Sequence, residues 1–374
     1  MSIPPPATPG SPLDAVDTPA LLIDLDAFER NLARMAGRLA GTGIRLRPHA
    51  KTHKSPVIAA RQIALGAVGV CCQKVSEAEI MVDGGVPDVL ITNEVVGEAK
   101  LARLAALAAR ARIGVCVDDP KAVAPLSAAA RRFGADIDVL VEIDVGQGRC
   151  GAASPEAAVL LAQELAAAEG LTFAGLQAYH GAAQHIRDPR DRAQAIAASA
   201  DVTRKTVTAL DAAGLGCATI GGAGTGSFEM EAAAGLWNEL QPGSYIFMDA
   251  DYARVGPPAG GEPFEHALFV LATVMSRPVE GRAVLDAGLK AHSTDSGLPV
   301  IRGHQRLVVT GASDEHAVME GTGVPALGER VLLIPGHCDP TVNLHDWYVG
   351  LRGLAGPEPL VECVFPVAAR GALF

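Results

Sequence analysis

From residue 20 to residue 248 the chain alternates short apolar runs with amphipathic helical stretches, and this order constrains the fold more than any other feature. The candidate strands are ALLIDL (20–25), IRLRPHA (44–50), GVCCQ (69–73), DVLITNE (88–94), IGVCVDD (113–119), DVLVEIDV (138–145), LTFAGLQAYH (171–180), CATIGG (217–222) and LQPGSYIFM (240–248). Between them lie helix candidates such as SPVIAARQIALG, EAKLARLAALAARA and PKAVAPLSAAARRFG, which begin at Ser, Glu or Pro as first turns prefer. Parallel strands need a crossover connection, usually a helix, so a regular β/α alternation means a parallel sheet with helices outside it. Nine candidates are one more than an eight-stranded (β/α) barrel needs. An open doubly wound sheet is the alternative, although nine such units in a row are unusual for one.

After about residue 255 the texture changes to strand candidates separated by Gly, Pro and Asp turns, among them HALFVLATVMS, RAVLDAGLKA, ERVLLIPGHCDP and LVECVFPVAARG. The expected fold class is therefore α/β: a TIM-type (β/α)8 barrel with a second, mostly β C-terminal domain. The expected division is an N-terminal arm over 1–18, a barrel over 19–254 and a β domain over 255–374, with ARVGPPAGGEPF (253–264) as linker.

Composition narrows the function. A chain of 374 residues, 49% hydrophobic, can bury a large core. Its net charge of −11 argues against a nucleic-acid partner, because neutralising phosphates needs a basic face. The start, MSIPPPATPGSPLDAVD, has neither a basic leader nor an apolar run and reads as a floppy proline-rich arm. The most apolar stretch, LARLAALAARARIGVCV, is broken by three arginines and reads as a helix followed by a strand, so no membrane partner is expected and the location expected is cytoplasmic. Seven cysteines without a C-x-x-C pair read as reduced, mostly core residues.

In a barrel, chemistry sits at the carboxyl ends of the strands. Polar residues collect at six such ends, including His49, Lys51 and His53; Gln73; Asp144 through Arg149; Gln177, Tyr179 and His180; and Gly222 through Ser227. Extended alternation through PHAKTHK would place His49, Lys51 and His53 on one face and Ala50, Thr52 and Lys54 on the other. A lysine held among histidines should have a lowered pKa, from like charge and desolvation, and act as a nucleophile towards carbonyls. The alternative is a set of surface positives on a loop. The run GGAGTGS (221–227) offers closely spaced amides for a phosphate. It is not a clean G-x-G-x-x-G and lacks the Walker lysine, so a single phosphate fits better than a dinucleotide. In PGHCDPTVNLHD an extended run would point His337 and Asp339 the same way and Cys338 the other. An imidazole and a carboxylate suit a divalent ion, and a polar turn is the alternative.

Together, RPHAKTHK, GVCCQKVSEAE, ITNEVVG, VEIDVGQGRCG, GLQAYHG, GAGTGS, ELQPGSYIFMDADY, LDAGLKA, DEH and PGHCDPTVNLHD, in this order from about residue 16 onward, resemble the D-threonine aldolase group. That group is similar to the D-serine dehydratases and, more distantly, to bacterial alanine racemase, all fold-type III pyridoxal phosphate enzymes. The resemblance implies that ALLIDL belongs with the β domain and that the barrel runs from IRLRPHA to LQPGSYIFM. It implies that Lys51 carries pyridoxal 5'-phosphate, that His49 and His53 tune or position it with His53 among the catalytic residues, and that His185 takes a substrate hydroxyl proton. Gly224, Thr225 and Gly226, joined by Ser244 and Tyr245, would hold the cofactor phosphate. Arg149 would approach the pyridine ring side, at its nitrogen or at the phenolic oxygen, and Gln73 and Tyr179 would make further cofactor contacts. His337 and Asp339 would bind a divalent metal, manganese or magnesium rather than zinc, since the dehydratases have Cys as second ligand. The implied reaction is retro-aldol cleavage of a D-β-hydroxy amino acid to glycine and an aldehyde, by a homodimer. Related possibilities are a D-serine or D-3-hydroxyaspartate dehydratase, a 3-hydroxy-D-aspartate aldolase and, from another class, a non-catalytic pyridoxal phosphate carrier.

Overall fold

The surplus strand leaves the barrel. In the computed structural model, which describes residues 3–255 and 262–374, β1 (Ala20–Asp24) is buried along its whole length and belongs to a different sheet from the strands that follow it. Those are β2 (Arg45–Leu46), β3 (Val70–Cys72), β4 (Asp88–Glu94), β5 (Arg112–Val117), β6 (Ile137–Glu142), β7 (Leu171–Ala178), β8 (Thr219–Gly222) and β9 (Glu239–Leu240). They form an eight-stranded parallel sheet in the order β2-β9-β8-β7-β6-β5-β4-β3. It closes between β2 and β3 through a parallel bridge of His49 with Cys71, where Cys71 N–H donates to Pro48 O at 2.8 Å.

Around the barrel run α1 (Leu25–Leu39), α2 (Pro56–Ala64), α3 (Val75–Asp83), α4 (Glu98–Ala108), α5 (Val123–Phe133), α6 (Pro155–Ala167), α7 (Pro189–Ala212) and α8 (Phe228–Ala233), followed by a single turn, α9 (Ala250–Ala253). The barrel strands read as unbroken apolar runs because both of their faces are covered. Cys71, Leu90, Cys116 and Leu140 form an inner layer, while Val70, Val89, Ile91, Val115 and Val139 join the core outside it. Helix starts are capped as their sequences suggest. Asp24 accepts from Ala27 N, Ser154 from Ala157 N and Asp188 from Arg190 N, each such cap contributing about 1 kcal/mol. Towards the strands' amino ends, Arg47 donates to Glu239 at 2.8 Å and to Asp88 at 2.6 Å, a buried ionic cluster.

The remaining strands are β10 (Leu268–Val279), β11 (Arg282–Leu285), β12 (Val300–Ile301), β13 (Leu307–Ala312), β14 (Ala317–Gly321), β15 (Arg330–Ile334), β16 (Trp347–Arg352) and β17 (Leu360–Pro366), with the short helix α10 (Cys338–Val342) between β15 and β16. With β1, which pairs antiparallel to β10 and parallel to β16, they make a nine-stranded sheet. This second sheet brings α10 to the barrel mouth.

Two local expectations fail. The N-terminal arm is not floppy over its described part: Val16 is fully buried, Pro12 bridges Leu360, and Trp347 donates to Ile3 O. The segment 240–248 is strand only at Leu240, and Ser244–Ile246 forms a 3-10 turn instead. Half of the expected linker, residues 256–261, lies outside the described residues. Among those described, all seven cysteines are unpaired and no helix is long and apolar enough to cross a membrane.

Candidate active site

Alternation is overturned at PHAKTHK. Ala50–Thr52 forms a 3-10 turn capped by His49, whose Nδ1 accepts from Lys51 N–H at 3.3 Å. The helical twist brings Thr52 to the mouth beside His49 and Lys51, and drives His53 into the interior. His53 has no exposed surface; its Nδ1 accepts from Ser55 N–H, and its carbonyl accepts from Tyr348 Oη at 2.8 Å. It is not among the residues that line the cavity at the barrel mouth, although it was expected among the catalytic ones. Lys54 pairs with buried Glu77 at 2.6 Å and is structural.

At the carboxyl end of the barrel a cavity of about 220 Å³ gathers Lys51, His49, Gln73, Arg149, Tyr179, His185, Gly224, Thr225, Ser244, His337 and Asp339. Its floor includes Gln177 and Gln241, whose amides bond reciprocally at 2.8 and 3.0 Å. A larger groove of about 560 Å³ between α4 and α5 is mostly apolar, with its charged groups, such as Glu98 and Arg132, at exposed positions. Only the smaller cavity has converging polar groups of the kind that orient a ligand.

His49 is buried, its Nε2 lying 3.1 Å from Thr92 Oγ1 and 2.8 Å from the Gln73 amide. Burial, reinforced by the Lys51 charge, holds its pKa well below the ordinary range, so the ring is neutral. Burial likewise brings His53 down to about 3. The like charges expected around Lys51 are therefore absent. Burial does pull the Lys51 pKa down, but Asp339, with its Oδ2 at 3.8 Å from Nζ, and Tyr179 outweigh this, and the net shift is upward. The expected lowering of the Lys51 pKa is not found, because its neighbours include a carboxylate that the local sequence could not reveal.

On one side of the cavity stands the glycine-rich loop. Thr225 Oγ1 accepts from Tyr245 N–H at 3.0 Å, which leaves its own hydroxyl hydrogen free for a ligand. The Gly226 amide is already donated to Gln184 Oε1 at 3.0 Å, and this residue borders the adjoining cavity of about 230 Å³. A Cβ at Gly226 would come within 2.5 Å of the Gln184 backbone carbonyl, so this glycine is needed for packing, whereas one at Gly224 would meet the end of the Gln184 side chain. Ser244 faces the cavity, but the Tyr245 ring points away, its hydroxyl bonded to Gln62 in the core. Only the Tyr245 backbone belongs to this loop. Among the described residues, Lys54, Ala223 and Met248 are the non-glycine residues with left-handed backbone, and all three flank segments that feed the site. Such strain, about 1 kcal/mol or more each, collects at functional sites.

From the second sheet, His337 occupies the N-cap position of α10 in an extended conformation, and its Nδ1 lies 2.8 Å from Asp295 Oδ2. Asp339 is in the first turn of α10, and both side chains border the cavity. Cys338 between them is fully buried, which pushes its thiol pKa far above the ordinary value, and it is not among the residues that line the cavity. His185 ends a 3-10 turn, with Nδ1 2.6 Å from Asp251. Arg149 lies over the Tyr179 ring at 5.7 Å, its Nη2 3.5 Å from Glu142. Burial, with Glu94 nearby, pushes Glu142 up to about 8. Among the described residues one group of three potential ligands lies together elsewhere: Glu94, Asp118 and Cys150. Burial and Glu94 raise the Cys150 thiol to about 11, so it offers little thiolate.

The sequence reading missed Thr52, Thr92, Gln184, Tyr252, Asp251 and Asp295. Thr92 could have been found as the first polar residue after the apolar run of β4. Asp251 and Asp295 act through partners 66 and 42 residues away and leave no local signal.

Residues 23–251 match the family described as alanine racemase, N-terminal domain, and residues 267–351 match the putative serine dehydratase domain. The chain belongs to the alanine racemase-like family. Its relatives in this family include D-threonine aldolase of Arthrobacter sp, 48% identical and covering 99% of this chain and 97% of that protein. The 3-hydroxy-D-aspartate aldolase of Paracoccus denitrificans is also 48% identical, covering 98% and 95%. The crystal structure of D-threonine aldolase from Filomicrobium marinum shares 55% identity and a TM-score of 0.97, over 99% of this chain and all of that one. This alanine racemase-like chain is thus a fold-type III pyridoxal phosphate enzyme with a (β/α)8 barrel and a mostly β second domain.

Proposed function

We propose that this enzyme is a D-threonine aldolase, a carbon–carbon lyase that cleaves D-β-hydroxy-α-amino acids to glycine and an aldehyde. The observation that carries the reading is the convergence of Lys51, His185 and the His337–Asp339 pair on one small cavity. The full-length likeness to aldolases supports it.

The residues fit both groups the reaction needs. For pyridoxal phosphate there is one amine, Lys51, beside hydroxyls of Thr225 and Ser244, on a loop whose Gly226 packs against the Gln184 backbone. For a divalent ion, His337 commits Nδ1 to Asp295 and keeps Nε2, an arrangement common at metal-binding histidines. Paired with the Asp339 carboxylate at the cavity, this nitrogen and oxygen donor set suits manganese or magnesium better than zinc.

When bound, pyridoxal phosphate would supply an electron sink for the Cα–Cβ bond and the ion would acidify a neighbouring hydroxyl. Lys51 Nζ is the amine that would hold the cofactor and be at hand to free the product. His185 accepts the β-hydroxyl proton at Nε2, since Nδ1 is committed to Asp251. Arg149 and Tyr179 pack together on the cofactor side, and neutral His49 with Gln73 and Thr92 forms the wall beneath.

Purified protein loaded with pyridoxal phosphate and manganese should convert D-threonine to glycine and acetaldehyde; ammonia and an oxoacid as products would make it a dehydratase, and no turnover a carrier. The Paracoccus relative favours 3-hydroxy-D-aspartate as a second substrate of the same reaction, with glyoxylate as product. The reading also includes a cytoplasmic homodimer. Unpaired cysteines fit a reducing compartment, and sedimentation of the holoenzyme tests the dimer.

A further inference from the structure

The sequence MDADY, just past the last barrel segment, bolts two parts of the site to one turn. Asp249, fully buried, accepts Cys338 N–H at 2.9 Å, at the start of the helix that carries Asp339, and Tyr252 N–H at 2.8 Å. Asp251, two residues on and 5% exposed, serves His185 instead. Its Oδ2 lies 2.6 Å from His185 Nδ1, and its Oδ1 is held by Arg187 and, at 3.1 Å, by Arg254. Arg187 also donates to the Asp251 carbonyl at 2.6 Å. Burial alone would raise the Asp251 pKa, but Arg187, His185 and Arg254 outweigh it and bring it to about 2.

An ionised carboxylate can only accept, so the nitrogen facing it must carry a hydrogen. That leaves Nε2 with its lone pair. His185 is about half exposed and has few other restraints beyond the Tyr252 ring, 5.7 Å away, so without this anchor its imidazole could rotate and change tautomer. The two arginines occupy the other carboxylate oxygen. They fix the plane of the anchor and share its charge.

Resting on the reading of His185 as the base, we propose that Asp251 is a positioning residue for the cleavage: clamped by Arg187 and Arg254, it holds His185 in the Nδ1–H tautomer with Nε2 free for the substrate. The hydroxyl proton passes to Nε2, the electron pair of the O–H bond stays on oxygen, and the imidazolium so formed keeps its Nδ1–H on the carboxylate.

The test is Asp251→Asn, whose amide can either accept from Nδ1 or donate to it. In holoenzyme labelled with 15N at histidine, the His185 signals, assigned by their loss in His185→Gln, should show a protonated Nδ1 and a bare Nε2 at neutral pH. In Asp251→Asn they should show a mixture of tautomers or the reverse one. With D-threonine, kcat should fall about 10²-fold, with KM and the visible cofactor band unchanged. Arg187→Gln, which leaves the Oδ2 contact in place, should keep the wild-type tautomer. An undiminished kcat or an unaltered tautomer in folded Asp251→Asn overturns the proposal. So does an Nε2-protonated His185 in the wild type, even where Asp251→Asn does not fold. A wild type that binds cofactor but does not cleave D-threonine sinks the functional reading instead, and the spectra still decide the link between Asp251 and His185.

Discussion

Lys51 Nζ stands 3.8 Å from Asp339 Oδ2, so the amine proposed to carry the cofactor and the carboxylate proposed to hold the metal face each other across one cavity. They come from different sheets: Lys51 from the turn that follows β2, Asp339 from the helix between β15 and β16. Neither sheet alone builds the cavity, which depends on the packing of α10 on the Lys51 turn.

Lys51→Ala should bind no cofactor covalently. The visible absorbance of dialysed protein after incubation with pyridoxal phosphate checks this, and activity should fall below detection. A variant that keeps the band would move the cofactor to another lysine. Lys54 is a poor substitute, because it is buried in its pair with Glu77.

Chelation should separate the two bound groups. Excess chelator is expected to abolish cleavage of D-threonine while the cofactor band persists, and manganese should restore activity. Asp339→Asn should need about 10-fold or more manganese for half-maximal rate, by loss of one anionic ligand. Full activity in excess chelator would remove the metal from the mechanism.

The barrel was legible because strands covered on both faces leave unbroken apolar runs, and helices between them leave amphipathic ones. The same physics hid the odd strand: β1 is as fully buried in its own sheet as β3 is in the barrel, so ALLIDL and GVCCQ read alike. At PHAKTHK, period-two reasoning misplaced His53 and Thr52, since a side-chain cap by His49 turned an apparent strand end into a helical turn. His337 and Asp339 reach the same cavity by another route than the extended run envisaged, one as a cap and the other in the first helical turn. The raised pKa of Lys51 depends on Asp339, 288 positions away in the chain, and only folding brings that charge to it.

Gly226→Ala should weaken cofactor binding without unfolding the protein. The new Cβ would sit 2.5 Å from the Gln184 backbone carbonyl, which cannot swing aside as a side chain would. Overpacking of this kind costs roughly 1–3 kcal/mol, and because the loop and the Gln184 turn meet here, relief should come from movement of the loop. The dissociation constant of pyridoxal phosphate, measured by fluorescence, should rise about tenfold or more. An unchanged constant would show that the loop holds no phosphate.

The last expectation concerns stability at acid pH. His53 is fully buried and neutral, with a pKa brought down from 6.5 to about 3, chiefly by burial. In the unfolded chain the same ring takes up a proton near its ordinary value, so below pH 6.5 the unfolded state binds more protons than the folded one. Stability from this residue is therefore complete above 6.5, declines as pH falls, and reaches its floor near pH 3, where the folded ring finally protonates. Replacing His53 by Gln removes the titration while keeping a polar side chain of similar reach. Urea midpoints taken from pH 7 to pH 4 should fall less steeply for His53→Gln than for the wild type, even if the variant is less stable at neutrality from imperfect packing. Parallel slopes in the two proteins would mean that the His53 imidazole is solvated in the folded state and contributes nothing to acid sensitivity.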